Sequence, residues 1–316
     1  MTAARPAGAR GARVAGYALA LGAGALWGTT GPLSTALYAE GEAITGIGFW
    51  RVLLGTVALL LYAALFRRDL LKVDWRGVLL LGLLGGALVA LFEVAYQFAI
   101  AGAGVASAAA LLYTAPTLVA LLAWPLLKER LTGFRLALAV VVGAGAVLAV
   151  LGGSHGAHLA GVATPRLALG VAGGLLAALS YAGTTLLARF AAPRYGVFRM
   201  LLLEIAGGTV LLGIILPLAG RPPVAPATTG GWAYLAALVA GTVILANVFF
   251  FSGAKRIEAA PTAVAATIEP VVGTLLALVL LSQRLTAVGW VGLLMVVGGV
   301  AAGYVGEARS VSDRPT

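Results

Sequence analysis

Hydrophobic residues in this chain fall in long runs separated by short polar stretches. Ten runs cover about residues 15–38, 44–66, 77–100, 105–127, 134–151, 167–190, 198–219, 231–253, 260–281 and 287–306. Each is close to the roughly 20 residues that a helix needs to cross the hydrocarbon of a bilayer. They predict an all-α polytopic membrane protein with ten transmembrane helices, called segments 1 to 10 below. The linkers are too short to hold a soluble domain. The predicted layout is a basic N-terminal tail (1–13), a first five-helix unit (14–151), an outer loop (152–166), a second unit (167–306) and a C-terminal tail (307–316).

The two units repeat one another. Residues 111–132 read LLYTAPTLVALLAWPLLKERLT, and residues 265–286 read AATIEPVVGTLLALVLLSQRLT. At an offset of 154, Pro116 falls on Pro270, and Arg130-Leu131-Thr132 fall on Arg284-Leu285-Thr286. The same offset places Trp27 on Tyr181, Thr30 on Thr184, Glu93 on Asn247 and Tyr96 on Phe250. Five is odd, so the second unit enters the membrane from the opposite side. Inverted repeats supply two related end states around a site near the midplane. The bland alternative is that the duplication only built a stable bundle.

Composition agrees with a membrane protein. Hydrophobic residues make up 61% and charged residues 10% of the chain, and mean hydropathy is +1.03. Soluble domains carry about 25% charged residues. The absence of cysteine removes disulfides, thiol catalysis and thiolate metal sites. The net charge of +10 would suit nucleic acid, but its distribution argues otherwise. Starting with the N-terminus inside, 17 of the 21 lysines and arginines fall on the cytoplasmic side. Arg166, Arg221 and Arg284 fall outside, and Arg51 lies within a segment. This positive-inside pattern puts both termini in the cytoplasm, and the expected location is a plasma membrane of bacterial type. The first run is longer than the apolar core of a signal peptide, so it reads as an uncleaved helix.

Four ionisable residues lie inside segments: Arg51, Glu93, Glu204 and Glu269. A charge in hydrocarbon is costly, so each needs a partner, water or a task. Glu269 precedes Pro270, which cannot donate a backbone hydrogen bond and bends segment 9 there. Glu269 is therefore a candidate for substrate or proton contact, within a small, polar stripe formed by Thr262, Ala266, Glu269 and Gly273. Glu93, Tyr96 and Gln97 share a face of segment 3. Their counterparts are Asn247, Phe250 and Phe251, so the symmetry is broken where a substrate would bind. Glu93 and Glu269 are the two candidates for proton coupling. Arg51 and Glu204 occupy matching places in the two units, towards opposite membrane faces. They are predicted to form separate gates or to snorkel to their own interfaces rather than to pair, although Arg51 could meet a carboxylate. Trp27, Thr30 and Ser34 share a face of segment 1, and Tyr181, Thr184 and Thr185 the matching face of segment 6. Tyr113 and Thr117 flank Pro116. Such groups orient a small ligand, or simply pack.

Several of these stretches together resemble the EamA-type transporters of the drug/metabolite transporter superfamily. They are Leu26-Trp27-Gly28, Phe49-Trp50-Arg51, Tyr96-Gln97-Phe98-Ala99 followed by Val105-Ala106-Ser107, and the two Pro…Arg-Leu-Thr stretches. The resemblance covers roughly residues 15–305. It implies no enzymatic activity and no cofactor, and movement of amino acids, other small metabolites or drugs, often outward. The chain departs from the pattern at Ser282-Gln283, where the family often has an acidic residue such as Glu129.

The expected function is therefore secondary transport of small metabolites, amino acids first, through a cavity between segments 1, 3, 4, 6, 8 and 9. The alternatives are proton-coupled efflux of lipophilic cationic drugs and a non-transporting membrane binding or assembly protein. The expected partners are a small-molecule substrate and the lipid bilayer. Small-xxx-small pairs at Gly24/Gly28, Gly170/Gly174 and Gly299/Gly303 predict close helix packing, or a homodimer through segment 10. Gly152-Gly153-Ser154-His155-Gly156 fits the letters of a nucleophile elbow but lies in a loop between membrane helices, outside the strand and helix that motif needs. His155 and His158 have no third ligand nearby for a metal.

Overall fold

The computed structural model describes residues 7–127, 132–153, 167–257 and 259–312. Lys128, Arg130, Ser154, His155, His158 and the rest of the predicted outer loop lie outside the described residues. Nine helices among the described residues are long and apolar enough to cross a membrane. Segment 1 is not among them. It is rich in glycine and alanine and is divided into two helices, Ala7–Gly28 and Thr30–Ala39. Segments 3 and 8 are longer than predicted, at Trp75–Ala103 and Thr229–Ile257. Each contains a stretch of wider π-helix, Val78–Gly85 and Val239–Leu245.

The two units pack by exchange. Segment 3 runs along segment 6, and segment 1 runs along segment 8. These are one contact made twice. A Cβ added to Gly16 would strike Ile257 and Arg256, and a Cβ added to Gly170 would strike Ala103 and Gly102. Every member of the second set stands 154 residues from its partner in the first. The start of the second unit thus packs on the end of segment 3 as the start of the first packs on the end of segment 8.

Segments 5 and 10 form a second seam. Gly145 faces Gly292 and Gly152 faces Gly289, with backbones too close for any side chain between them, and the Val142 side chain packs into the space over Gly299. The small residues of segment 10 are therefore used within the chain. The outer surface is apolar, with Leu65, Val140 and Val279 each more than 70% exposed. Such a surface suits hydrocarbon rather than water.

Short contacts tie the two ends of the bundle. At one end Asp74 accepts hydrogen bonds from the Gly77 backbone at 2.9 Å, the Tyr195 hydroxyl at 2.8 Å and the Arg194 guanidinium. Arg199 caps the carbonyls of Asp69 and Leu70 beside it. At the other end Thr228 donates to Glu40 at 2.6 Å, and the Trp50 indole donates to the Val224 carbonyl at 2.7 Å. There the Gln283 side chain accepts from the Val105 backbone at 3.1 Å, and the Thr286 backbone donates to Gly152 at 2.9 Å.

Candidate functional site

Three segments break beside a central cavity, and each break has the same chemistry. Pro32, Pro116 and Pro270 have no N–H to offer the carbonyls four residues earlier, those of Gly28, Leu112 and Ala266. A threonine precedes each proline by two or three residues. The hydroxyls of Thr29, Thr114 and Thr267 donate back to Leu26, Leu111 and Val264 at 2.6, 2.7 and 2.6 Å. Their backbone N–H groups turn to the same carbonyls, tightening the chain into a turn. The break at Pro270 is the one predicted. The break in segment 1 interrupts the continuous run expected over 15–38, and the Thr29…Pro32 spacing carries its signal.

The cavity holds about 390 Å³. Its wall includes the predicted Trp27, Thr30, Glu93, Tyr96, Tyr113, Pro116, Tyr181, Thr184, Asn247, Phe250 and Glu269. Arg51 and Glu204 are on the wall too, so segments 2 and 7 contribute where only six segments were expected. Segment 10 adds Tyr304. Phe251, the repeat counterpart of Gln97, also lines it, and so do Thr242, Phe92 and Thr267, which the sequence does not mark. Thr242 could have been found only by asking what satisfies Arg51.

Gln97 is a correction. It is fully buried away from the cavity, where the Tyr38 hydroxyl donates to its Oε1 at 2.5 Å. Gln97 lies one residue, about 100° of helix turn, beyond Tyr96, on the side of segment 3 that packs on Tyr38 of segment 1. Ser34, Thr117, Thr185, Thr262 and Pro270 are likewise off the wall. The stripe from Thr262 to Gly273 is not one face, since the break at Thr267 divides it, and Gly273 packs on Gly28.

Arg51 is the second correction. It does not snorkel to an interface. It is 8% exposed, and its Nη1 donates to both oxygens of Glu93 at 2.9 Å. Its Nη2 donates to the Thr242 hydroxyl at 3.2 Å, and that hydroxyl donates to the Leu238 carbonyl at 2.7 Å. The Trp27 indole donates to the Thr242 carbonyl at 3.0 Å. One residue of segment 8 thus joins segments 1 and 2. The physical reason is cost: a guanidinium this far from water needs a carboxylate beside it, and here only Nε is left without a partner among the described residues. No bond joins Arg51 to Glu204 among the described residues.

Glu269 sits at the start of the second half of segment 9, facing the break in segment 4. The Tyr113 hydroxyl donates to its Oε2 at 2.9 Å and lies 3.4 Å from the Ala266 carbonyl that Pro270 leaves free. Aromatic rings border these groups. Trp27 and Phe250 have centroids 5.4 Å apart, and Phe92 stacks on Tyr96 at 5.5 Å. The wall therefore combines one guanidinium, three carboxyl groups and an aromatic lining. No group of three or more His, Asp or Glu residues is placed to hold a metal ion among the described residues. Leu201, Ala263, Phe251 and Tyr304 extend the cavity towards the end that holds Asp74 and Arg194. The end bridged by Glu40, Val224 and Gln283 contributes nothing to the wall.

A bundle of apolar helices in two halves, broken around one polar cavity, defines a multi-pass membrane protein of the transporter type. Residues 14–151 and 168–303 each match the EamA-like transporter family. The chain belongs to that family, and so to the membrane transporters of the drug/metabolite superfamily. No curated protein matches it in sequence. Among 19 matching chains of solved structure, one titled only "Crystal structure of protein" has a TM-score of 0.61 and 20% identity. That alignment covers 93% of this chain and 98% of the other, and it speaks for the fold alone.

Proposed function

We propose that the protein is a secondary active exporter of small amine-bearing metabolites, amino acids foremost, working by alternating access. The observation that carries this reading is the Tyr113–Glu269 pair, held at facing helix breaks on the wall of a central cavity. A carboxyl beside a helix break has free backbone groups around it and room to exchange one partner for another. An ammonium group and a proton would compete for Glu269, and that competition couples outward movement of substrate to inward movement of protons. The aromatic rings supply apolar and cation–π contact to the rest of the ligand.

In this reading ten segments cross the plasma membrane, with both termini and the basic Asp74 end in the cytoplasm. The cavity extends towards that end, while the Glu40–Thr228, Trp50–Val224 and Gln283–Val105 contacts close the other. This supports a state open to the cytoplasm, ready to load an exported substrate. Counterflow in proteoliposomes tests the reading. Saturable exchange of amino compounds, driven by a pH gradient and lost in Glu269→Gln, is the expected result. Absence of exchange by folded protein would overturn it. The excess of carboxyl groups over cations, together with the aromatic lining, favours one second reading, proton-coupled efflux of lipophilic cations. That reading predicts exchange of bulky aromatic cations without amino-acid flux.

A further inference from the structure

Glu204 is the one carboxyl group of the cavity wall that no described residue engages. Glu93 is held by Arg51, and Glu269 by Tyr113. Glu204 is 9% exposed, and its Oε1 is buried with no hydrogen-bond partner. Its stem is pressed against Gly85, where an added Cβ would come within 2.6 Å of the Glu204 Cγ. The fold has thus made room for this side chain on segment 3 and left its polar end unanswered. A buried polar group in that condition is destabilising unless a partner arrives.

The charges on the wall say what kind of partner. Arg51 has Nη1 on Glu93 and Nη2 on Thr242, and its buried Nε has no hydrogen-bond partner among the described residues. The Arg51–Glu93 pair is neutral as a unit, so it does not compete for the amino groups of a ligand. Glu204 and Glu269 remain, on different helices of the same cavity, with no lysine, histidine or second arginine on the wall. We infer that the cavity takes small aliphatic compounds with two amino groups, one held at Glu269 and Tyr113, the other at Glu204. Aliphatic diamines and diamino acids share this chemistry. The inference rests on the transport reading above and narrows its substrate class.

The test is competition in proteoliposomes against a labelled monoamine. The competitors are a homologous series of straight-chain diamines, the monoamines of equal length, and lysine beside norleucine. The wild type should favour each two-amine compound over its one-amine match by about tenfold or more, the effect of one added charge-assisted hydrogen bond. Lysine and the diamines separate the two sources of the second amine. Glu204→Gln should collapse that ratio towards unity. Glu204→Asp, which keeps the charge on a shorter stem, should keep the preference and move the optimum to a longer diamine. If the glutamine variant does not fold, the aspartate variant decides, and an unmoved optimum overturns the inference. A ratio near unity in the wild type, or one unaltered by Glu204→Gln, overturns it while leaving amine transport standing. No exchange of any amine overturns both.

Discussion

Arg51 and Glu93 meet in an uneven fork, with a single guanidinium nitrogen 2.9 Å from both carboxylate oxygens. The pair belongs to segments 2 and 3 of the first unit. In the second unit the matching places are held by Glu204 and Asn247, which cannot form an ion pair. The two halves share a backbone plan and differ in charge at its centre. That asymmetry gives one wall of the cavity a closed, neutral pair and the other an open carboxyl group. Two inverted halves with identical chemistry would present the same site to both sides of the membrane; these do not.

Removing either partner of this pair should destabilise the protein more than removing both. Each is more than nine-tenths buried, and a lone buried charge costs about 3–5 kcal/mol. Arg51→Met and Glu93→Met should each lower the thermal midpoint in detergent, and the double variant should recover much of the loss. Additive losses would show that the two residues are not coupled.

Transport should depend differently on the two members of the Tyr113–Glu269 pair. Glu269→Gln removes the charge that would hold an amine, and should abolish gradient-driven exchange and flatten its pH profile. Tyr113→Phe removes one hydrogen bond to that carboxylate, about 1.5 kcal/mol, and should raise KM roughly tenfold with the pH profile retained. Equal losses in both variants would mean that the tyrosine does more than orient the carboxyl group.

Much of this site was legible in the sequence, because membrane proteins concentrate rare polar residues where they matter. Four ionisable groups stood out inside apolar runs; Glu93 and Glu269 were legible as cavity residues, while Arg51 and Glu204, read as gates or interface groups, line it as well. The repeat identified Glu93 and Asn247 as a broken symmetry. What stayed hidden was orientation. A helical wheel puts Gln97 beside Glu93, yet the close packing of segments 1 and 3 turns it to Tyr38. Depth along the sequence set Arg51 near an interface, yet the long guanidinium arm reaches Glu93 and Thr242. Side-chain reach and helix rotation are decided by neighbours far away in the chain, and spacing does not encode them. Thr242 was missed for the same reason: its hydroxyl looks like any helix threonine until Arg51 is placed beside it.

Asp74 should stabilise the basic end in a pH-dependent way. The Gly77 N–H, then the Tyr195 hydroxyl and Arg194, hold its carboxyl below the usual carboxylate range. A depressed value means that the charged form is favoured by folding. Its contribution is therefore complete above about pH 4, the value for an unfolded aspartate, and is lost as the pH falls through its folded value. Asp74→Asn should lower the thermal midpoint at neutral pH and weaken its fall in acid, as followed by thermal scans between neutral and acid pH. An unchanged acid limb would place the titrating group elsewhere.

Gly207 should be the least replaceable glycine in the bundle. A Cβ there would lie 1.8 Å from the carbonyl oxygen of Gly82, well inside contact distance, and the atom it strikes is backbone. Gly86 meets Gly207 in the same way from the other helix, so neither chain can yield by rotating a side chain. Segment 7 would have to move off segment 3, opening the packing beside Glu204, which lies one turn away. Alanine is the better helix former by about 1 kcal/mol, so propensity works in favour of the substitution and only the clash opposes it. Overpacking of a tight seam costs about 1–3 kcal/mol, and rigid backbone on both sides puts this seam at the upper end. Gly207→Ala should therefore reduce folded yield and the thermal midpoint in detergent, and impair exchange in whatever protein survives. Gly143→Ala is the matched control. It lies within segment 5 with nothing inside 4 Å of an added Cβ, so it should be neutral or slightly stabilising. If the two variants melt alike, the close approach of segments 3 and 7 is not a feature of the folded protein.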